Sequence, residues 1–371
     1  MSVSTRRIAV VTGTRAEFGL LRPVMRAIDA HPDLDLEVLV TGTHLLPDAH
    51  TETEVARAFA LAARIPMQAP GENGRASDAL AFGRGVHGFA ERFVAAPPHV
   101  VLVLGDRIEA FAAATAASVA GLHVAHVHGG DRAEGIADEG IRHAISKLAQ
   151  IHFPASAESA ERLICMGEHP MRVHLVGSPA IDELDDTPAL SDQAYADLGS
   201  PRIVFLLHPS GLAPELEHAR AARALSICAA SAQTLALAPN HDAGRDAITQ
   251  AIAESGLCNR EHLDRETFVG LLRRADVLVG NSSAGLIEAA ALGLFAINLG
   301  QRQAGRQMPP HVLDIADWHF DELKASLAHA LTNRPAGGRH PYGRGTAGTA
   351  IASFLASADL SPAALFKRNT Y

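Results

Sequence analysis

The chain reads as an α/β protein of two doubly wound domains, each built on a parallel sheet, with a cleft between the sheets' carboxyl edges. Three observations give this reading. Short runs of Val, Ile, Leu and Ala alternate with longer helical patterns from one end to the other, and near-continuous apolar strands with helical crossovers indicate a parallel sheet covered on both faces. At 371 residues the chain is long enough for two domains of ordinary size. A polar, Pro-bearing segment at 182–201, DELDDTPALSDQAYADLGSP, breaks the alternation, which then restarts.

Taken in order, strands are expected at 8–12, 36–40, 100–104, 123–128, 152–154 and 173–176. Helices are expected between them at 20–30, 77–95, 108–120, 141–150 and 157–166. Beyond the polar segment, strands are expected at 202–207, 234–238, 277–279 and 294–299, and helices at 214–231, 244–255, 265–274 and 284–292. The stretch 337–349, GGRHPYGRGTAGT, reads as a loop. A last helix near 349–356 is expected to pack back on the first domain. The domains are therefore drawn at 1–185 and 200–345, with 346–371 as the returning C-terminal helix.

Apolar residues make up 47% and charged residues 20%, a globular composition, and the formal charge is −9. Binding to a nucleic-acid backbone needs clustered positive surface, which argues against such a partner. A small phosphorylated ligand needs only one or two local cations. Cys165, Cys228 and Cys258 are few and lack metal-ligand spacing, so they are expected to be reduced thiols. The N-terminal apolar run is too short for a signal peptide and no stretch approaches a membrane span. A cytoplasmic protein with no membrane partner is expected.

Chemistry concentrates where strands end. The stretch His123–Val127 runs into HGGDRAEGIADEGIRHAISK, in which Asp131, Glu134, Asp138, Glu139, Arg142 and His143 crowd together. Carboxylates gathered at a carboxyl edge perturb one another's pKa values, as acid–base chemistry requires. The first strand ends in TGTRAEFG, whose Gly spacing is not that of a dinucleotide fingerprint. Arg15, at a helix N-terminus, either holds a phosphate or is an exposed Arg in a tight turn. Asp106 and Arg107 follow another buried strand; they either pair with each other or serve as a catalytic carboxylate and an anion ligand. His126 and His128 share a strand face without a third metal ligand at recognisable spacing. A satisfied buried His126 and a cleft-facing His128 are expected, and no metal or cofactor.

In the second half, HPSG at 208–211 and PNHDAG at 239–244 end strands, and GNSSAGLIE at 280–288 is the sharpest motif. Ser282 and Ser283 are good helix caps and equally a phosphate nest. Glu288, within two helical turns, can take both hydroxyls of a ribose. Arg302 and Arg306 bring cations close to the same edge. Arg15 and the Ser282/Ser283 pair could clamp one diphosphate across the cleft.

Together GTRAEFGLLRP, GDRIEA, HGGDRAEGIADEGIRHAISK, the His-Pro pair, PNHDAG and GNSSAGLIEAAALGLFAINLGQRQAGR resemble, in order, the hydrolysing UDP-N-acetylglucosamine 2-epimerases of sialic acid biosynthesis. The resemblance spans residues 8–306. It implies two Rossmann-like domains of the glycosyltransferase-B type, and conversion of UDP-N-acetylglucosamine or a related sugar nucleotide to an N-acetylmannosamine-type free sugar plus nucleoside diphosphate. The route is elimination to a glycal followed by hydration. By position it implies Asp106 and Asp138 as catalytic groups, Asp131 and Glu134 as assistants, and His208 as an acid. Arg15, Arg107, His128, Asn240, Ser282, Ser283, Glu288 and Arg302 would bind the nucleotide sugar. It also implies a homo-oligomer, dimer or tetramer.

Some members of that family carry a catalytic Glu where this chain has His128, HPSG lacks a Thr often found after the His-Pro pair, and the stretch 254–266 is short. These departures leave the base, uracil or guanine, and the amino sugar open, as in related enzymes acting on GDP-linked or bacillosamine-type sugars. The alternatives are a non-hydrolysing 2-epimerase, a glycosyltransferase of the same fold, and a catalytically silent sugar-nucleotide-binding protein.

Overall fold

A computed structural model of the chain describes residues 5–47, 51–72, 74–132, 139–240, 244–335, 340–368 and 370. In the first half the strands are β1 (Arg6–Thr12), β2 (Leu34–Thr41), β3 (Leu61–Ile65), β4 (Val100–Leu104), β5 (His123–Val127) and β6 (Ile151–Phe153). Between and after them come α1 (Arg15–Asp29), α2 (Glu52–Ala58), α3 (Arg75–Ala95), α4 (Ile108–Val119), α5 (Glu139–Leu148) and α6 (Ala157–Cys165). The strands pair in parallel in the spatial order β3-β2-β1-β4-β5-β6.

The second half holds α7 (Asp192–Asp197), β7 (Ile203–Leu206), α8 (Pro214–Ser231), β8 (Thr234–Leu237), α9 (Arg245–Glu254) and β9 (Cys258–Arg260). It continues with α10 (Arg265–Leu272), β10 (Val277–Gly280), α11 (Glu288–Ala291), β11 (Phe295–Leu299), β12 (Val312–Ile315), α12 (Phe320–Thr332) and α13 (Ala347–Ser357). Its parallel sheet runs β12-β11-β10-β7-β8-β9, the same winding order as the first.

The described residues up to Asp131, those from 139 to Asp182, and those from Tyr342 onward form one compact unit. Arg132 and the described residues between Glu183 and Pro341 form the other. In the first, every residue of β4 and β5 is buried. Phe18, Leu21, Val24, Met25 and Ile28 fall at helical spacing on one face of α1 and are buried against the sheet.

The closing helix α13 joins this core through Ile351, Ala352 and Leu355. A Cβ on Gly348 would sit 2.7 Å from the Pro23 carbonyl oxygen, so glycine lets the two helices touch backbone to backbone. Both ends of α13 are capped by distant residues. Asp182 accepts from the amides of Ala347 and Gly348 at 3.0 and 2.6 Å, and Arg6 donates to the carbonyls of Leu355 and Ala358, each at 2.8 Å.

Three expectations need correction. Residues 173–176 are not a strand, because only an isolated bridge joins Val173 to His152. The helix expected over 284–292 is broken into a 3-10 turn at Ser283–Gly285 and the short α11. Gly285 sits close under β11, where a Cβ would meet that of Ala296 at 3.3 Å. Of the loop expected at 337–349, residues 337–339 lie outside the described residues and the last three are already helical. Strands β3, β9 and β12 and helices α2, α7 and α12 were not read from the sequence.

The winding order picks out the functional edge of each unit. Ligands of doubly wound sheets bind beyond the carboxyl ends of the strands, at the point where the order reverses. In the first sheet that point lies between β1 and β4, and in the second between β7 and β10.

Candidate active site

Beyond β1 in the first unit, Thr14 caps α1, its Oγ1 accepting from the Glu17 amide at 3.3 Å. Glu17 turns back and accepts from the Gly13 amide at 2.6 Å, a variant of the reciprocal capping box. Burial, assisted by the nearby Glu109 carboxylate and opposed by the Gly13 hydrogen bond and Arg107, pushes the Glu17 pKa up to about 8. Glu109 is wholly buried and fills the space beside Gly13, where a Cβ would lie 2.6 Å from its Cγ. Arg15, the expected phosphate ligand, is paired at 2.9 Å with Glu54 of α2.

Asp106 and Arg107 follow β4, and they do not pair with each other. The Asp106 carboxylate accepts from Arg142 of α5, and Arg107 lies 3.3 Å from Glu109. Arg142 is 1% exposed and also donates to Glu139 at 2.7 Å and to the Asp131 carbonyl at 3.1 Å. One buried guanidinium thus ties the ends of β4 and β5 to α5. Such a planar fork holds several oxygens in fixed geometry, which a flexible ammonium would not.

At the end of β5, His126 is buried with Nε2 2.8 Å from the Gly105 carbonyl and Nδ1 3.1 Å from the Ser146 hydroxyl. Burial brings its pKa down to about 3, so the ring is neutral. Nε2 must donate to the carbonyl, so Nδ1 accepts from Ser146.

His128 does not face open space as expected. It is 6% exposed, at a φ of 63°, with Nδ1 2.8 Å from Asp131 Oδ2 and Nε2 2.9 Å from Ser178 Oγ. Asp131 Oδ1 accepts in turn from the Ser159 hydroxyl at 2.7 Å. The left-handed backbone at His128 costs energy for a side-chain-bearing residue, and this network holds it in place. Gly130 is fixed by contact as well, since a Cβ there would lie 2.2 Å from the Ser159 carbonyl oxygen. Glu134 and Asp138 lie outside the described residues.

In the second unit, Asn281 follows β10 and grips the backbone of His208, which follows β7. Its Oδ1 accepts from the His208 amide at 2.7 Å and its Nδ2 donates to the His208 carbonyl at 2.8 Å. The Asn240 amide donates to His208 Nδ1 at 3.2 Å, so a neutral His208 carries its proton on Nε2. Ser282 caps the 3-10 turn through a 3.3 Å bond from the Ala284 amide. Arg302 and Gln303 donate to the Asn281 carbonyl at 3.3 and 2.8 Å.

Gly280, at a φ of 147°, lies so close to β7 that a Cβ would fall 1.8 Å from the Leu206 carbonyl oxygen. Glu288 is buried and paired with Arg265 at 2.9 Å. Glu217 of α8 accepts from the amides of Ser210 and Leu212 and fixes the loop after His208.

The structure thus brings Asp106, Arg107, His128 and Asp131 to one edge of the first sheet. It brings His208, Asn240, Ser282, Ser283 and Arg302 to the corresponding edge of the second. Sequence reasoning gave no role to Arg142, Asn281, Gln303, Glu217 or Ser178. Asn281 left a usable signal, as a polar residue next to a Gly directly after a buried strand, and Arg142 left one as a member of the charged cluster after His128. Among the described residues, no group of three or more His, Cys, Asp or Glu side chains is placed to hold a metal ion.

Two parallel sheets of one winding order, each with polar motifs at its reversal point, define a two-domain α/β protein of the doubly wound class. Residues 26–356 match the family described as UDP-N-acetylglucosamine 2-epimerase, and the chain belongs to that family of enzymes. It is 37% identical, over 99% of its own length and all of the relative's, to a hydrolysing UDP-N,N'-diacetylbacillosamine 2-epimerase of Legionella pneumophila. It is 32% identical, over 83% of each chain, to a UDP-N-acetylglucosamine 2-epimerase of Neisseria meningitidis serogroup B. Its fold is similar to a Neisseria meningitidis UDP-GlcNAc 2-epimerase solved with UDP-GlcNAc bound, with a TM-score of 0.78, 18% identity, and 94% and 99% of the two chains covered.

Proposed function

We propose that the protein is a hydrolysing sugar-nucleotide 2-epimerase. It takes a UDP-linked 2-acetamido sugar and water to nucleoside diphosphate and the free 2-epimer, an N-acetylmannosamine-type sugar. The observation that carries this reading is Asp106, a half-buried carboxylate at the first sheet's reversal point, oriented by the buried Arg142. In the first step a carboxylate takes the C2 proton. The C2–H electrons form the C1–C2 double bond and the C1–O bond breaks toward the diphosphate, leaving a glycal. In the second step water adds its oxygen to C1 while a proton returns to C2 from the other face.

Asp106 and Asp138 are the proposed proton-transfer groups and Glu134 an assistant. Asp131 has both carboxylate oxygens engaged, so it assists by holding the His128 ring in place against Ser159. In the second unit His208, with its Nε2 proton, faces the diphosphate or sugar. Arg302 and the Ser282/Ser283 turn bind phosphate, and Glu288 binds ribose. Arg15 and Arg107 exchange Glu54 and Glu109 for the substrate's phosphates. A cytoplasmic, homo-oligomeric enzyme, dimer or tetramer, and no required cofactor complete the reading.

The full-length similarity to a diacetylbacillosamine enzyme favours a 4-acetamido sugar as the substrate to test beside UDP-N-acetylglucosamine. Purified protein is incubated with each, and with GDP-N-acetylglucosamine, and the products are separated by anion exchange. Equal amounts of free nucleoside diphosphate and free epimerised sugar are expected from at least one. An intact epimerised sugar nucleotide without free diphosphate would instead establish the non-hydrolysing reaction.

A further inference from the structure

We infer that the C-terminal tail is a strap, and that Lys367 is a positioning residue that sets α5 and, through it, the Asp106 edge. After α13 the chain crosses a 3-10 turn at Pro362–Leu365 and lays Lys367 against the end of α5. The Lys367 ammonium donates to the carbonyls of Ser146, Lys147 and Ala149 at 3.0, 2.9 and 2.6 Å. Ser146 and Lys147 lie in the final turn of α5 and Ala149 directly follows it, where the carbonyls have no intrahelical partner and carry the negative end of the helix dipole. A cation there satisfies three acceptors at once. The tail is held a second time where the Thr370 amide donates to the Gly167 carbonyl at 3.1 Å.

Beneath the strap lies a buried ionic cluster. Glu168, 2% exposed, meets Lys367 at 2.6 Å, Lys147 at 2.8 Å and His152 at 3.0 Å. Burial opposes its charge, but hydrogen bonds from His152, Lys147 and Lys367 outweigh burial and hold its pKa down at about 2. The anion that anchors the strap is therefore present throughout the working pH range.

Two paths lead from this anchor to Asp106. Ser146, whose carbonyl Lys367 holds, donates its hydroxyl to His126, and His126 donates to the Gly105 carbonyl, one residue from Asp106. Arg142, one turn earlier on α5, holds the Asp106 carboxylate itself. A shift of the α5 end moves both supports together. Displacing a reacting group by about 1 Å is enough to cost on the order of 100-fold in rate.

The inference rests on Asp106 being a catalytic carboxylate, so its test has an arm that does not depend on activity. Lys367→Met and Lys367→Arg full-length proteins are compared with wild type by amide hydrogen exchange, and by kcat and KM for the sugar nucleotide turned over. Lys367→Met is expected to speed exchange at residues 145–149 and at Gly105, and to lower kcat about tenfold or more with KM changed less than about twofold. Lys367→Arg, which keeps the donors, is expected to recover both.

Unchanged exchange at Gly105, or a lowered melting temperature with unchanged kcat, would overturn the strap. If wild type turns over no sugar nucleotide, the proposed function fails, and faster exchange at Gly105 in Lys367→Met still decides for the strap. Should Lys367→Met not fold, Glu168→Gln, which removes the ammonium's counter-charge, is measured in the same way with the same direction expected.

Discussion

Glu17 makes the first unit's stability depend on pH in a way that one substitution should remove. Its carboxyl is buried and its pKa is raised from the usual 4.5 to about 8 in the folded chain. A group whose folded pKa exceeds its unfolded value gives stability that is full below the unfolded pKa and lost as pH rises through the folded one. Each unit of separation corresponds to about 1.4 kcal/mol, so the 4.5-to-8 shift implies a loss of about 4–5 kcal/mol in all, roughly 2 kcal/mol of it between pH 6 and pH 8. Glu17→Gln keeps the carbonyl that accepts from Gly13 and cannot ionise.

Thermal or urea unfolding of both proteins from pH 5 to pH 9 isolates this carboxyl and its coupling to Glu109, because the titrations of groups that do not interact with Glu17 cancel in the difference. At pH 5 the two should be equal within about 1 kcal/mol. By pH 8 the variant should be about 3–4 kcal/mol further ahead than at pH 5, a melting shift of about 6–16 °C for a unit of this size. A difference curve that stays flat, or one that favours wild type at high pH, would refute the reasoning.

Other perturbations follow from the same geometry. Asp106→Asn keeps the shape but not the base and should lower the steady-state rate of diphosphate release by about 100-fold or more. Arg142→Met leaves the Asp106 and Glu139 carboxylates without their shared buried cation and should cost about 3–5 kcal/mol in denaturant unfolding. Gly280→Ala forces a Cβ into the Leu206 carbonyl at a φ that L-residues avoid, so the second unit should fail to fold and the protein should appear in the insoluble fraction.

What could be read from the sequence depended on how far each residue's partner lies along the chain. The buried central strands were legible, and Val100–Leu104 and the helix Pro214–Ser231 fall where the pattern put them. The edge strands were not. Leu61–Ile65 alternates half-buried and exposed residues up to a buried Ile65, Cys258–Arg260 is polar, and only the last residue of Val312–Ile315 is fully buried, so none leaves an apolar run. The motif resemblance located the family correctly because its motifs are contiguous.

Partnerships were harder to see. Asp106 is 36 residues from Arg142, Asn281 is 73 from His208, and Lys367 is 221 from Ser146. Only the winding of the sheets and the return of α13 bring these together. The same holds for His128, where no spacing rule foretells that Ser178 closes the ring's second nitrogen.

Running the reaction in deuterium oxide and following the released sugar by proton NMR tests proton removal at C2 most directly. The C2 position of the free epimer should carry deuterium, in step with an equal amount of nucleoside diphosphate. A free epimer that keeps its original hydrogen at C2 would contradict it.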